Sequence, residues 1–224
     1  SNSFIFVYYC NPIVFVSKSR CYVFFRSHSL IMKNTNQLRS VLQPVADSYT
    51  AKEDIYVEMY DYYINFFKEK EVLTKNDVVI GIGFTYSWMP TILKNLNLSK
   101  LDKVTSILNN VKQRVDISDD DLLLLKEFSN NSLVGASKLL HFINPEQYAI
   151  WDSRVFKFLN NNEAAHKYKL EKVHVYRQYL SYLSNLKTSG TLDNIVATLK
   201  AKIGYPISDY RALELLFFLG SKNG

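Results

Sequence analysis

Cysteine is nearly missing from the 224 residues: Cys10 and Cys21 are the whole complement. Two thiols exclude a disulfide scaffold and any four-cysteine zinc or iron–sulfur site. Glycine (7) and proline (5) are scarce too, which sets aside collagen-like and low-complexity chains. No run reaches about 18 uninterrupted apolar residues, so no membrane-spanning helix is expected. The four histidines, His28, His141, His166 and His174, are scattered and offer no metal-ligand spacing; His166 and His174 read as surface residues. Serine nucleophile elbows and Cys/His pairs are absent. Gly81-Ile82-Gly83 begins like a dinucleotide fingerprint, but Tyr86 stands where the third glycine belongs, so it reads as a close helix-packing spot. A soluble, cytoplasmic, monomeric chain without cofactor or metal is the resulting expectation.

Acidic residues are also missing from residues 1–31, where Lys18, Arg20 and Arg26 supply half of the net charge of +6. The rest of the chain is therefore only mildly basic, weak support for a polyanionic partner. This first segment is dense in Phe, Tyr, Val and Ile with little alternation, and it lacks the charge-first layout of a secretory signal. Met32 then opens the polar Lys33-Asn34-Thr35-Asn36. Residues 1–31 read as a dispensable extension outside the native domain; an amino-terminal β-hairpin docked on the domain is the competing account.

What is present is 47% apolar content, enough for one sizeable core, and a helical period after Met32. Thr50-Ala51-Lys52-Glu53 has the form of a capping box, followed by Ile55, Met59, Tyr63 and Phe67 at i, i+4 spacing. Ser99 opens a second segment, with Leu101, Val104, Ile107 and Leu108 inward and Lys100, Lys103 and Lys112 outward. Ser118-Asp119-Asp120-Asp121 opens a third, its carboxylates suited to the positive helix end. A long helix is expected over 163–186, with Tyr176, Tyr179, Leu180 and Leu183 inward, then two more over 191–201 and 208–219. The fold class is all-α.

One window carries chemistry. Residues 119–160 read as a helix over 120–128, a turn over 129–135, a helix over 136–143, a loop with Asn144-Pro145, and then Trp151-Asp152-Ser153-Arg154-Val155. A hairpin of two short helices presents backbone N–H groups at the second helix's start, a place for a phosphate. Lys138 lies in that helix's first turn, where the positive end disfavours its ammonium form. Asp152 is placed to cap the following helix. Taken singly, a lysine on a short helix reads as a solvated side chain and an aspartate before a helix as a cap.

Together they resemble the helix-hairpin-helix DNA glycosylases, the superfamily of endonuclease III and 8-oxoguanine DNA glycosylase, in a divergent bacterial form. Leu133-Val134-Gly135 matches the hairpin, with Leu133 where the family has its first glycine. Lys138 matches the nucleophile and Asp152 the acidic partner. The cysteine cluster that follows in endonuclease III is absent, which excludes that cofactor. The Ser208-Asp209-Tyr210-Arg211-Ala212-Leu213-Glu214 segment looks like the family's closing helix.

The resemblance implies a two-lobed helical domain over 32–224. The helix-hairpin-helix motif would lie in an inserted lobe of about 72–151, and 32–71 with 152–224 would form the other. It further implies duplex DNA with a damaged base as partner, and base-excision repair as function. Lys138 and Asp152 would act in the glycosylase step and, where a Schiff base forms, in lyase cleavage. Ser132, Leu133, Val134, Gly135, Ala136 and Ser137 would touch DNA, and Trp151 would stack on the flipped base or fill the lobe junction. A non-catalytic hairpin module on DNA and a helical interaction protein without nucleic acid are the alternatives.

Overall fold

The computed structural model describes the backbone of residues 15–17 and 20–22 and, in full, residues 33–51, 55–88 and 91–221. The two short upstream strands, β1 (Phe15–Ser17) and β2 (Arg20–Tyr22), pair antiparallel. The rest of residues 1–31, and Lys52 and Glu53 of the expected capping box, lie outside the described residues.

From residue 33 onward the described chain is all-α. Helix α1 (Thr35–Ser48) starts where the sequence looks merely polar: Asn34 Oδ1 accepts from Gln37 N, and the Gln37 side chain accepts from Asn34 N. α2 (Ile55–Lys68) follows, then α3 (Lys75–Ser87), started by a Thr74/Asp77 capping box. A 3-10 turn at Leu98–Lys100 leads into α4 (Leu101–Lys112), so Ser99 lies within that turn and does not cap the helix. α5 (Asp119–Phe128) carries the expected Ser118/Asp121 capping box. α6 (Leu133–Ile143) and α7 (Ser153–Leu159) follow.

The helix expected over 163–186 is two: α8 (Lys167–Leu170) and α9 (Val173–Ser189). The chain breaks at Glu171 because that carboxylate is used elsewhere, as described below. α10 (Asp193–Ile203) and α11 (Asp209–Gly220) close the fold. α9 and α10 each end on a glycine in the left-handed region, Gly190 (φ 63) and Gly204 (φ 86), a conformation that costs a side-chain-bearing residue more.

Packing follows from the buried stripes. α6 is the hub of the middle helices, touching α2, α3, α4 and α5; α11 packs on α1, α7, α9 and α10. One contiguous apolar core joins the two sets. α2, expected in the same lobe as 152–224, packs on α3 and α6 and also meets Tyr205 and Arg211. Its inward stripe is rotated from the expected one: Val57, Tyr60, Tyr63 and Phe67 are buried, while Ile55 is exposed. Lys112 is half-buried and donates to Phe67 O rather than pointing outward. Gly81 is the close-packing position of α3, since a Cβ there would lie 2.3 Å from Phe67 Cζ; Gly83 faces open space. No described helix is long and apolar enough to cross a membrane.

Candidate functional site

α6 is buried along almost its whole length, so its polar residues face either protein or a cavity. Ser137 is fully buried; its Oγ accepts from Trp151 N at 3.0 Å. From the other side, Tyr176 Oη donates to Ala149 O (3.0 Å) and Tyr179 Oη to Ile150 O (3.2 Å). These bonds fix the extended segment 149–151 between α6 and α9. Trp151 is fully buried in it, its indole N–H donating to Leu170 O and its ring against Tyr179 and Phe156. The next residue, Asp152, caps α7, with Oδ1 accepting from Arg154 N and Val155 N, each at 2.9 Å. Backbone bonds to α6 and α9 thus decide where the Asp152 carboxylate stands.

It stands on a cleft of about 770 Å³ that Lys138 also lines, together with Trp88, Arg154, Arg211, Glu214 and Phe218. Lys138 is 8% exposed, and its Nζ lies 5.7 Å from the centre of the Trp88 ring. Among the described residues no hydrogen bond or ion pair holds that ammonium. Burial pushes the Lys138 amine below the usual lysine range; the charges of Asp152 and Glu214 act the other way, and Arg211 adds to the lowering. Glu214, almost fully buried, is raised to about 7, chiefly by burial with Asp152 adding, while its ion pair with Arg211 resists. The Arg211 guanidinium lies against the Tyr60 and Trp88 rings, at 4.8 Å and 5.1 Å from their centres. Arg154 is exposed at the cleft and stacks on Phe218 at 4.5 Å.

The structure therefore brings Lys138 and Asp152 to one cavity and separates them from the other expected contacts. The turn between α5 and α6 is shorter than expected: Asn130 and Asn131 take positive φ (61 and 50), and Leu133-Val134-Gly135 already form the first helical turn. Leu133, Gly135, Ala136 and Ser137 are buried, and Ser132 and Val134 are half-buried. The α6 start is not open to a phosphate. Glu171 Oε2 accepts from Leu133 N at 2.6 Å, Ser132 Oγ accepts from Gly135 N at 3.2 Å, and Lys126 stands 3.9 Å from the Glu171 carboxylate. A protein carboxylate occupies the place expected for DNA phosphate. Trp151, expected either to stack on a base or to fill the lobe junction, has no exposed face and packs against Phe156 and Tyr179, and Trp88 is the tryptophan on the cleft.

Arg211, Glu214, Trp88 and Arg154 are cleft residues that sequence reasoning passed over. For the first two a signal existed: Arg211 and Glu214 are charges three residues apart in a helix whose residues after its first turn are otherwise apolar, which marks an inward pair. His166 and His174 are exposed on different segments, and no cluster of three or more metal-ligating side chains occurs among the described residues. No family model, curated protein or solved structure matches this chain.

Proposed function

We propose that the cleft is the site of a DNA base-excision reaction, with Lys138 as amine nucleophile and Asp152 as its carboxylate partner. The observation that carries this reading is a buried lysine whose ammonium has no hydrogen-bond or ion-pair partner among the described residues, on a cavity that also holds a carboxylate. A structural lysine in that position would be paired, because an isolated buried ammonium is costly. An amine that must attack carbon gains from the same burial, since only its neutral form is nucleophilic.

The chemistry runs as follows. A damaged nucleotide leaves the duplex stack at a cost of a few kcal/mol and enters the cleft, whose volume suits a base with its sugar. The neutral Lys138 amine attacks C1′ as the glycosidic bond breaks, and the base departs with the bonding electron pair. Asp152, ionised, stabilises the positive charge that builds on the sugar. Loss of the amine proton and ring opening give a Schiff base, from which β-elimination cleaves the strand on the 3′ side. The α6 terminus is filled by Glu171, so backbone phosphates fall to exposed cations at the rim, Arg154 first among them. The occupied terminus also weighs against a non-catalytic module that grips DNA through this hairpin alone.

The test is base release from duplexes bearing oxidised purines, oxidised pyrimidines, alkylated bases or uracil. Wild-type protein releases at least one class; Lys138→Gln loses release and keeps duplex affinity, and Asp152→Asn slows release more than it weakens binding. Absence of release and of covalent trapping across the whole panel would end the enzymatic reading.

A further inference from the structure

The Arg211–Glu214 pair in α11 is more buried than any other ion pair among the described residues, at 5% and 2% residue exposure. Such a pair adds little to stability, because desolvating two charges consumes most of their attraction. Its hydrogen-bonding capacity is also largely unused. A guanidinium has five N–H donors. Among the described residues the side chain of Arg211 has one acceptor, Glu214 Oε2, and the other Glu214 oxygen has no donor. The half-buried Glu171 makes the contrast: it meets Lys126 and also takes the Leu133 N–H. Both Arg211 and Glu214 border the cleft beside Lys138. The Tyr60 and Trp88 rings lie against the guanidinium, which orients its fork before any ligand arrives.

We infer that Arg211 and Glu214 read the edge of the base entering the cleft and select a lactam, a ring carbonyl beside a ring N–H, over an amino-substituted ring. The inference rests on the reading of the cleft as a nucleobase site and names its substrate class. A carbonyl oxygen has two lone pairs and takes two of the open guanidinium donors, while the adjacent ring N–H donates to the Glu214 carboxylate. The ring nitrogen of cytosine or adenine has one lone pair and leaves a second donor buried and empty. An unmet buried donor costs about 1–3 kcal/mol, and sites built this way discriminate by hydrogen-bond mismatch more sharply than by shape. Uracil- and hypoxanthine-type bases fit; cytosine- and adenine-type bases do not.

Matched nucleosides isolate this feature: uridine against cytidine, and inosine against adenosine, each pair differing at the carbonyl or amino position. They are titrated into the full chain, with quenching of tryptophan fluorescence as the readout, since Trp88 lies on the cleft and Trp151 is fully buried away from it. Uridine and inosine should bind about tenfold more tightly than their partners. Arg211→Lys, which keeps the charge and loses the fork, should erase the preference, and Glu214→Gln should reduce it. Thermal melts accompany both variants; if either fails to fold, the wild-type pairs decide alone. Equal affinities within both pairs, a reversed order, or no binding would overturn the inference. Base release from DNA is scored separately. Lactam preference without release upholds this inference and ends the excision reading, whereas release of adenine- or cytosine-type bases as readily as uracil or hypoxanthine does the reverse.

Discussion

Lys138 and His141 are successive inward positions of α6, both buried, and the fold treats them in opposite ways. His141 is satisfied at both ring nitrogens. Its Nδ1–H donates to Tyr148 O at 2.6 Å, which leaves Nε2 as acceptor for the Tyr60 hydroxyl at 2.7 Å. Burial pushes the imidazole down to about 3, so the ring is neutral and works as a strut between α2 and the loop after α6. Lys138, one turn earlier, is also buried, at the edge of the cleft, and has no such partners among the described residues. A polar group with every bond made is a piece of architecture; a buried amine on a cleft is placed where a ligand could meet it.

The largest effect should come from deleting the strut. His141→Ala strands the Tyr60 hydroxyl and the Tyr148 carbonyl and opens a cavity, at an expected cost of about 3–4 kcal/mol in urea unfolding. Lys138→Met removes a buried amine that meets no acceptor among the described residues and should leave stability within about 1 kcal/mol of wild type, or raise it. Equal losses in the two variants would place Lys138 among the structural residues.

A second, smaller contrast lies in α3. Gly81→Ala puts a methyl 2.3 Å from Phe67 Cζ and 3.1 Å from Leu139 Cδ1, and should cost about 1–3 kcal/mol. Gly83→Ala meets nothing within 4 Å and should gain about 0.5–1 kcal/mol from helix propensity. Thermal melts of the two variants displaced in opposite directions would support the placement of Gly81 against Phe67 and Leu139; a shared direction would contradict it.

The smallest effect is a slope. His141 is held neutral, with a folded value near 3 against 6.5 unfolded, so its contribution is complete above 6.5 and is lost as pH falls toward 3. Glu214 is the reverse: its folded value, about 7, lies above the unfolded 4.5, so its contribution is complete below 4.5 and is lost as pH rises through 7. The two oppose each other between pH 4.5 and 6.5. Stability measured across that window should climb with pH more steeply in Glu214→Gln than in wild type. An unchanged slope would mean that burial does not raise the Glu214 carboxyl.

What the sequence reveals, and what it hides, divides along the same physical line. The Ser118 capping box is a local pattern and its helix is present. The Tyr176, Tyr179, Leu180 and Leu183 stripe, by contrast, announces one helix over 163–186 of which the part from Val173 onward, α9, is continuous, with Leu180 half-buried. α1 and α3 escape because their boxes use Asn34 with Gln37 and Thr74 with Asp77, in stretches whose polarity or two-sided burial blurs the period. The break at Glu171 and the closed start of α6 are one event. A carboxylate 38 residues along the chain leaves its helix to cap another, and no local pattern reports that. Lys138 and Asp152 are legible because the sequence resemblance reads both from one short window. Arg211 and Glu214 reach the same cleft from the far end of the chain, so only packing reveals them beside Lys138.

The excision reading requires Lys138 to be a reactive amine open to the cleft. Borohydride trapping on a duplex with one abasic site, followed by peptide mapping, tests it most directly, because this step needs the amine but no knowledge of the lesion. A single covalent adduct on Lys138 that disappears in Lys138→Gln is the expected result. An adduct spread over surface lysines, or none at all, would contradict it.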